Sequence, residues 1–301
     1  MLITLSLMVV VFTLMRQNQV IFATETGVTS MNENIRAAAD LLTREVQAAG
    51  TGLRGMTAPI LGVDGDGEQG DRIAILIGDP SAPVAHVRTS PISNGTTQVL
   101  LSSPAGATHV GAGLSYTDDR GKVQQLYQGG DRYILYNETH FSIVRVSSST
   151  IRPDGDVLVS FAVDQSNPRA KYGDCKYKPA ADANGALFAR LDGIVYYRFD
   201  KDRQVIERRE NHEPWADVAS GILGFQIRYR TLGDDNTLSE PSDAPPIDRE
   251  SIRSVVLTIR ARTPDAEPGT PKYRETAERF EITPRNMRLP RSGGDVEPHP
   301  S

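Results

Sequence analysis

The first 49 residues contain no proline and a single glycine, Gly27, and this constrains the chain more than any other feature. An uninterrupted helix of that length is a rod of about 74 Å, at ~1.5 Å per residue. Met1 to Met15 carries no charge, and only Thr4, Ser6 and Thr13 break its apolar character. From Arg16 the composition turns polar, with Gln17, Asn18, Gln19, Glu25, Asn32, Glu33, Asn34, Arg36, Asp40, Arg44 and Glu45. Apolar residues persist at Ile35, Ala38, Ala39, Leu42, Val46 and Ala49, one narrow stripe at helical spacing. Such a helix is poorly stabilised alone and should seek partner helices or the rest of its own chain. Gly50 and Gly52 supply a stop signal. The apolar run has no basic segment before it and no small-residue cleavage site after it, which argues against a removable signal peptide. A membrane anchor is the better reading, although 15 residues fall short of the roughly 20 that span a bilayer.

The chain has 301 residues, 33 basic and 38 acidic, for a net charge of −5. This mild acidity argues against a nucleic-acid partner. Cys175 is the only cysteine, so no intrachain disulfide can form; it sits in a polar stretch, Lys171 to Pro179, as an incidental thiol. Residues 51–289 are enough for one large β-rich domain or two small ones.

After Gly52 the signal changes to short apolar runs between turn residues, which predict strands. Ile73–Ile77 reads as buried on both faces, and Val99–Leu101 is a second short run. Arg132–Tyr136 and Phe141–Val146 flank a polar turn and predict a hairpin. In Val157–Val163 the residues Val157, Val159, Phe161 and Val163 share a face. Ile194–Phe199 and Gln204–Arg208 predict another hairpin; Phe225, Ile227 and Tyr229, then Val255, Leu257 and Ile259, mark two alternating strands. One more strand is expected within Tyr273–Ile282. Residues 164–185 and 231–249 lack periodicity and read as long loops, and 290–301 as a disordered tail. The class is α+β: a long N-terminal helix, then a mainly antiparallel head.

Signals for site chemistry are sparse. Asp64, Asp66, Glu68 and Asp71 are closely spaced hard oxygen donors on a glycine-rich backbone, which suits calcium. The twelfth-position glutamate of an EF-hand is missing, and Gly/Asp runs are also ordinary turn chemistry. His86, His109, His140, His212 and His299 lie in no nucleophile or zinc motif. The neighbouring His212 and Glu213 do not by themselves make a dyad. Residues 222–291 hold 12 basic and 11 acidic side chains, so Arg228, Arg230, Arg260 and Arg262 read as a solvated face paired with acids. Trp215, after Pro214, reads as a core or hairpin anchor. Nothing marks a catalytic constellation.

The segment Asn34–Gly50 (NIRAAADLLTREVQAAG) resembles the helix of PilW-type minor pilins, with its Arg, apolar pair, Arg-acid pair and closing Ala-Gly. Further motifs resemble that family in order. They are Gly130-Asp131, Arg190-Leu191, Tyr196-Tyr197, Arg208, the Gly221–Tyr229 strand, the Ile252–Ile259 strand, Tyr273-Arg274 and Arg285-Asn286. The loops 164–185 and 231–249 have no counterpart. The J-type pseudopilins of type II secretion share much of this plan.

The resemblance implies a non-enzymatic subunit of a type IV pilus, acting in assembly, initiation or at the tip. It implies a helix over 1–50, a periplasmic pilin-like head over 51–289 and the tail 290–301. The chain would sit in the inner membrane with one span and pass into the fibre. Its partners would be other minor pilins and the major pilin, met through the helix, and the assembly machinery. Alternatives are a minor pseudopilin of type II secretion and a membrane-anchored periplasmic ligand-binding or hydrolytic domain. The sequence departs from the family at its start. Pilins open with a Gly-Phe junction and a nearby glutamate, whereas Val11 precedes Phe12 here and Arg16 stands where the acid belongs. The expectation is that this sequence begins a few residues inside the mature protein.

Overall fold

The structure is a computed structural model, and it describes residues 2–53, 59–63, 71–88, 97–110, 113–136, 141–163, 186–233, 237–243, 252–267 and 271–285. Helix α1 (Leu2–Ala48) is continuous. From Met31 onward it is held by the head. Met31, Ile35, Ala38, Ala39, Leu42, Val46 and Ala49 are all buried, and every expected stripe residue is among them. The stripe has therefore found its own chain. Gly50 and Gly52 take positive φ (76° and 74°), and a Cβ on Gly52 would lie 2.7 Å from the backbone of Gly78 and Asp79. Gly50 N–H donates to Leu76 O at 2.9 Å, and Gly78 N–H donates to Thr51 O at 2.8 Å. The helix stop is thus also its seam to the sheet.

Sixteen strands follow among the described residues. The first eight are β1 (Ile60–Val63), β2 (Arg72–Gly78), β3 (Ala85–His86), β4 (Gln98–Leu101), β5 (Thr108–Val110), β6 (Gly113–Thr117), β7 (Val123–Gln125) and β8 (Arg132–Tyr136). Then come β9 (Phe141–Ile151), β10 (Val157–Val163), β11 (Leu187–Asp200), β12 (Val205–Glu210), β13 (Ala216–Ser220), β14 (Ile222–Thr231), β15 (Ile252–Arg262) and β16 (Glu275–Ile282). The ten-stranded sheet runs β1-β2-β11-β8-β9-β10-β4, with β12 on β11, β13 on β12, and β3 beside β11. Two three-stranded sheets, β14-β15-β16 and β5-β6-β7, complete the head. These strand pairs are antiparallel, so the α+β class holds.

β11 is the spine. Its first residues pair with β8 (Leu187↔Tyr136), and after a register shift near Leu191 it pairs with β2 (Val195↔Ile75) and β12. One 14-residue strand therefore serves three cores, through Val195 and Tyr197, through Phe188, and through Ala189, Leu191 and Ile194. In the first core, the helix stripe meets Ile73, Ile75, Val195, Tyr197 and Ile206 of the large sheet together with Phe225, Ile227, Tyr229, Val255, Leu257 and Ile259 of the small one. The second lies under β5-β6-β7 and is aromatic, with Tyr133 stacked on Phe188 at 4.8 Å between centroids. The sheets approach closely at Gly62, where a Cβ would fall 1.7 Å from the Tyr229 hydroxyl oxygen. Only glycine fits there.

The long apolar runs form strands as their alternation indicates. Phe225, Ile227 and Tyr229 are buried together, as are Val157, Val159 and Phe161. Tyr136 pairs with Phe141 in the expected hairpin. Three findings differ from the sequence reading. β9 continues to Ile151, and the short β1, β3, β5, β6, β7 and β13 were not foreseen. Part of the expected 231–249 loop folds back on β14, with Leu232 bridging Leu238 and Tyr229 bridging Ser242. The expected loop 164–185, with Cys175, and the tail 290–301 lie outside the described residues.

Candidate functional site

The most distinctive surface is the free half of α1. Leu7 through Phe12 are six consecutive apolar residues, each 45–68% exposed, and Leu14, Met15, Ile21 and Phe22 are exposed as well. Six consecutive helical positions pass through more than a full turn, so this stretch is apolar all round rather than on one face. The Thr13 hydroxyl donates to Val9 O at 2.7 Å, which satisfies it within the helix. Among the described residues one helix is long and apolar enough to cross a membrane, and it is this one. Chemically such a surface calls for lipid or for other apolar helices.

The other half is fixed to the head by polar bonds as well as by packing. Glu45 accepts hydrogen bonds from the Tyr197 hydroxyl and from Arg208 Nε at 2.9 Å. Arg208 also pairs with Glu210 at 3.0 Å. Burial pushes the Tyr197 hydroxyl well above the ordinary phenol range, and the Glu45 carboxylate adds to the effect. Burial works against the Arg208 charge, but Glu45 and Glu210 outweigh it and hold the proton more tightly than in a free arginine. A partly buried pair of this kind contributes mainly by being complete, because losing one partner strands the other charge. Asn34 Nδ2 donates to Ser220 O (3.3 Å), and Arg285 N–H donates to Gln47 O (3.3 Å). Helix and head share one core from Met31 onward.

A second polar network lies across the head. Arg190 Nη2 is 3.4 Å from Asp131, and Arg190 Nη1 donates to the Tyr116 hydroxyl at 2.8 Å. The Tyr116 hydroxyl in turn donates to Asp79. Burial and then Asp79 raise the Tyr116 pKa to about 12. A polar cleft of roughly 390 Å³ opens here, lined by Asp79, Ser81, Tyr116, Asp118, Arg120 and Asp192 among others. Burial, Asp79 and Glu210 raise the Asp192 pKa.

Of the acidic residues singled out for calcium, Asp71 lies among the described residues. Asp71 is buried, and its Oδ2 accepts the Ile227 N–H at 2.6 Å, so this carboxylate pins β14. Asp64, Asp66 and Glu68 lie outside the described residues. Among the described residues no three His, Cys, Asp or Glu side chains gather as a metal site.

His86 is exposed on β3, and His212 lies 3.4 Å from Arg145. His109 is in β5, and His140 and His299 lie outside the described residues. Arg228 pairs with Asp243 (2.6 Å) and Arg230 with Glu281 (3.3 Å), as a solvated face should. Arg262 donates to Gln204 and stacks on Tyr273, while Arg260 is exposed. Trp215 is half-buried under the guanidiniums of Arg198 (4.2 Å) and Arg209 (4.7 Å), a cation–π anchor for the β12–β13 turn. Sequence reasoning missed Glu45 as the tie to Tyr197 and Arg208. The signal was an acid beside the apolar stripe that needed a partner from the head. Comparisons with protein families, with characterised proteins and with solved structures find no match to this chain.

Proposed function

We propose that this chain is a non-enzymatic minor pilin of PilW type, a subunit that takes part in assembly, initiation or the tip of a type IV pilus. One observation carries the reading. A single 47-residue helix is clamped into a β head over its second half and bears apolar side chains all round over Leu7–Met15, near its start. That shape presents a head at a membrane and can pass its apolar half from lipid to a bundle of like helices without refolding. The residues that carry the family resemblance lend support, because positions far apart in sequence are bonded partners. Asp131 pairs with Arg190, and Glu45 binds both Tyr197 and Arg208. On this reading the chain is a single-pass inner-membrane protein with a periplasmic head, and its partners are other pilins.

The test is Val10→Asp in the full chain. Val10 is exposed and distant from the head core, so the head's melting should not change. Fibre assembly should fall sharply, because a charge at the centre of an apolar helix costs about 2.5–3.5 kcal/mol on insertion scales. Normal fibres with the variant present would sink the proposal. Loss of protein secretion with intact pili would move the same subunit to a type II secretion machine.

A further inference from the structure

The free and held halves of α1 meet between Thr24 and Met31, and the backbone there is weaker than packing requires. Gly27 is the only glycine in the helix and takes ordinary helical φ. A Cβ at Gly27 would sit 3.7 Å from Thr263 Cβ and Cγ2 and 4.0 Å from Pro264 Cδ, which is normal van der Waals contact. Alanine would thus fit, gain contact and hold a helix far better than glycine does. Gly27 faces Thr263 of its own head, so close approach of another helix does not account for it.

Two neighbouring side chains act the same way. The Thr24 hydroxyl donates to Val20 O at 2.8 Å, and the Thr26 hydroxyl donates to Phe22 O at 2.9 Å. Such back-bonding slightly loosens and bends a helix. Beside this turn lies open space, a cavity of roughly 140 Å³ between Ala23, Thr24 and Gly27 on the helix and Thr263, Glu267 and Arg274 of the head. Weak backbone and room to move coincide at the boundary.

We infer that Thr24–Gly27 is a joint about which the head tilts relative to the free half of the helix. The inference needs that half to be held elsewhere, by a membrane or by other helices, and it does not depend on which machine is served. A rigid rod would fix the head's orientation to the tilt of its anchor. A joint at this level lets the head keep its own contacts while the apolar half moves from bilayer to bundle.

The experiment uses the full chain in detergent micelles, comparing wild type with Gly27→Ala. In the wild type, amides around Thr24–Gly27 should exchange faster than those of Met31–Val46. Gly27→Ala should slow them roughly fivefold, the factor expected when glycine's helix penalty is removed. With Cys175 replaced by serine, spin labels at Asn18 and Lys201, both exposed, should show a distance distribution that narrows in Gly27→Ala. Unchanged exchange and unchanged width would overturn the joint. A lowered melting temperature of the head in Gly27→Ala would overturn it too, because the glycine would then be a packing requirement. The Val10→Asp assembly assay reads the pilin proposal separately, so either idea can fail without the other.

Discussion

Leu42→Ala separates a helix stripe that serves as core of its own head from one kept for neighbouring helices. Leu42 is 0% exposed and lies within the cluster formed by β2, β11, β14 and β15. Truncating a leucine so enclosed removes its transfer energy and leaves a cavity, a loss of about 3–4 kcal/mol in well-packed sites. For a head of this size, each kcal/mol moves the melting temperature by about 2–4 °C, so a fall of roughly 6–16 °C is expected. The assay is thermal unfolding of a chain beginning at Val28, which lacks the apolar run and should be soluble and monomeric. Arg44→Ala, on the exposed face of the same helix, is the control and should stay within about 0.5 kcal/mol of wild type. A Leu42→Ala shift below about 2 °C would refute the reasoning and return the stripe to an intersubunit seam. The same geometry makes Leu42→Asp unsuitable as a test of filament packing. A charge there would unfold the head, so lost assembly in that variant would say nothing about filament packing.

Two more outcomes follow from the polar groups. Because Asp71 is committed to the Ile227 N–H, the head's melting should be indifferent to a calcium chelator. Asp71→Ala should cost about 1–3 kcal/mol by orphaning that donor, and chelator-dependent melting would return the acidic loop to a metal role. In alkaline titration followed by phenolate absorbance, Tyr116 should ionise near 12, while Tyr127, Tyr133 and Tyr197, raised chiefly by burial, should ionise only as the head opens. The sign follows from the raised pKa. The neutral phenol is favoured by the fold, so the Tyr116 contribution is intact below pH 10 and is lost as the pH rises through about 12. A Tyr116→Phe chain with an unchanged titration curve would contradict the assignment.

The helix was legible from residues alone because its determinants are local. Absence of proline, a lone glycine, the apolar run and the Ile35–Val46 stripe all act within a few turns, and the Gly50 and Gly52 stop acts at one point. The long alternating strands were legible for the same reason, since each carries its own buried face. The short strands were not. β7 (Val123–Gln125) and β13 (Ala216–Ser220) have no apolar run to announce them and exist only because a neighbour offers an edge. Asp71 shows the limit most plainly: beside Asp64 and Asp66 it reads as a ligand, but it is consumed by a backbone N–H that lies 156 positions away. Glu45 likewise meets Arg208 and Tyr197 across more than 150 residues. The sequence by itself therefore determined a rod with an apolar end and a β-rich remainder. Tertiary structure alone decided that the stripe packs on its own head rather than on a neighbour, and which acids are ties, because those outcomes depend on pairings that no local pattern encodes.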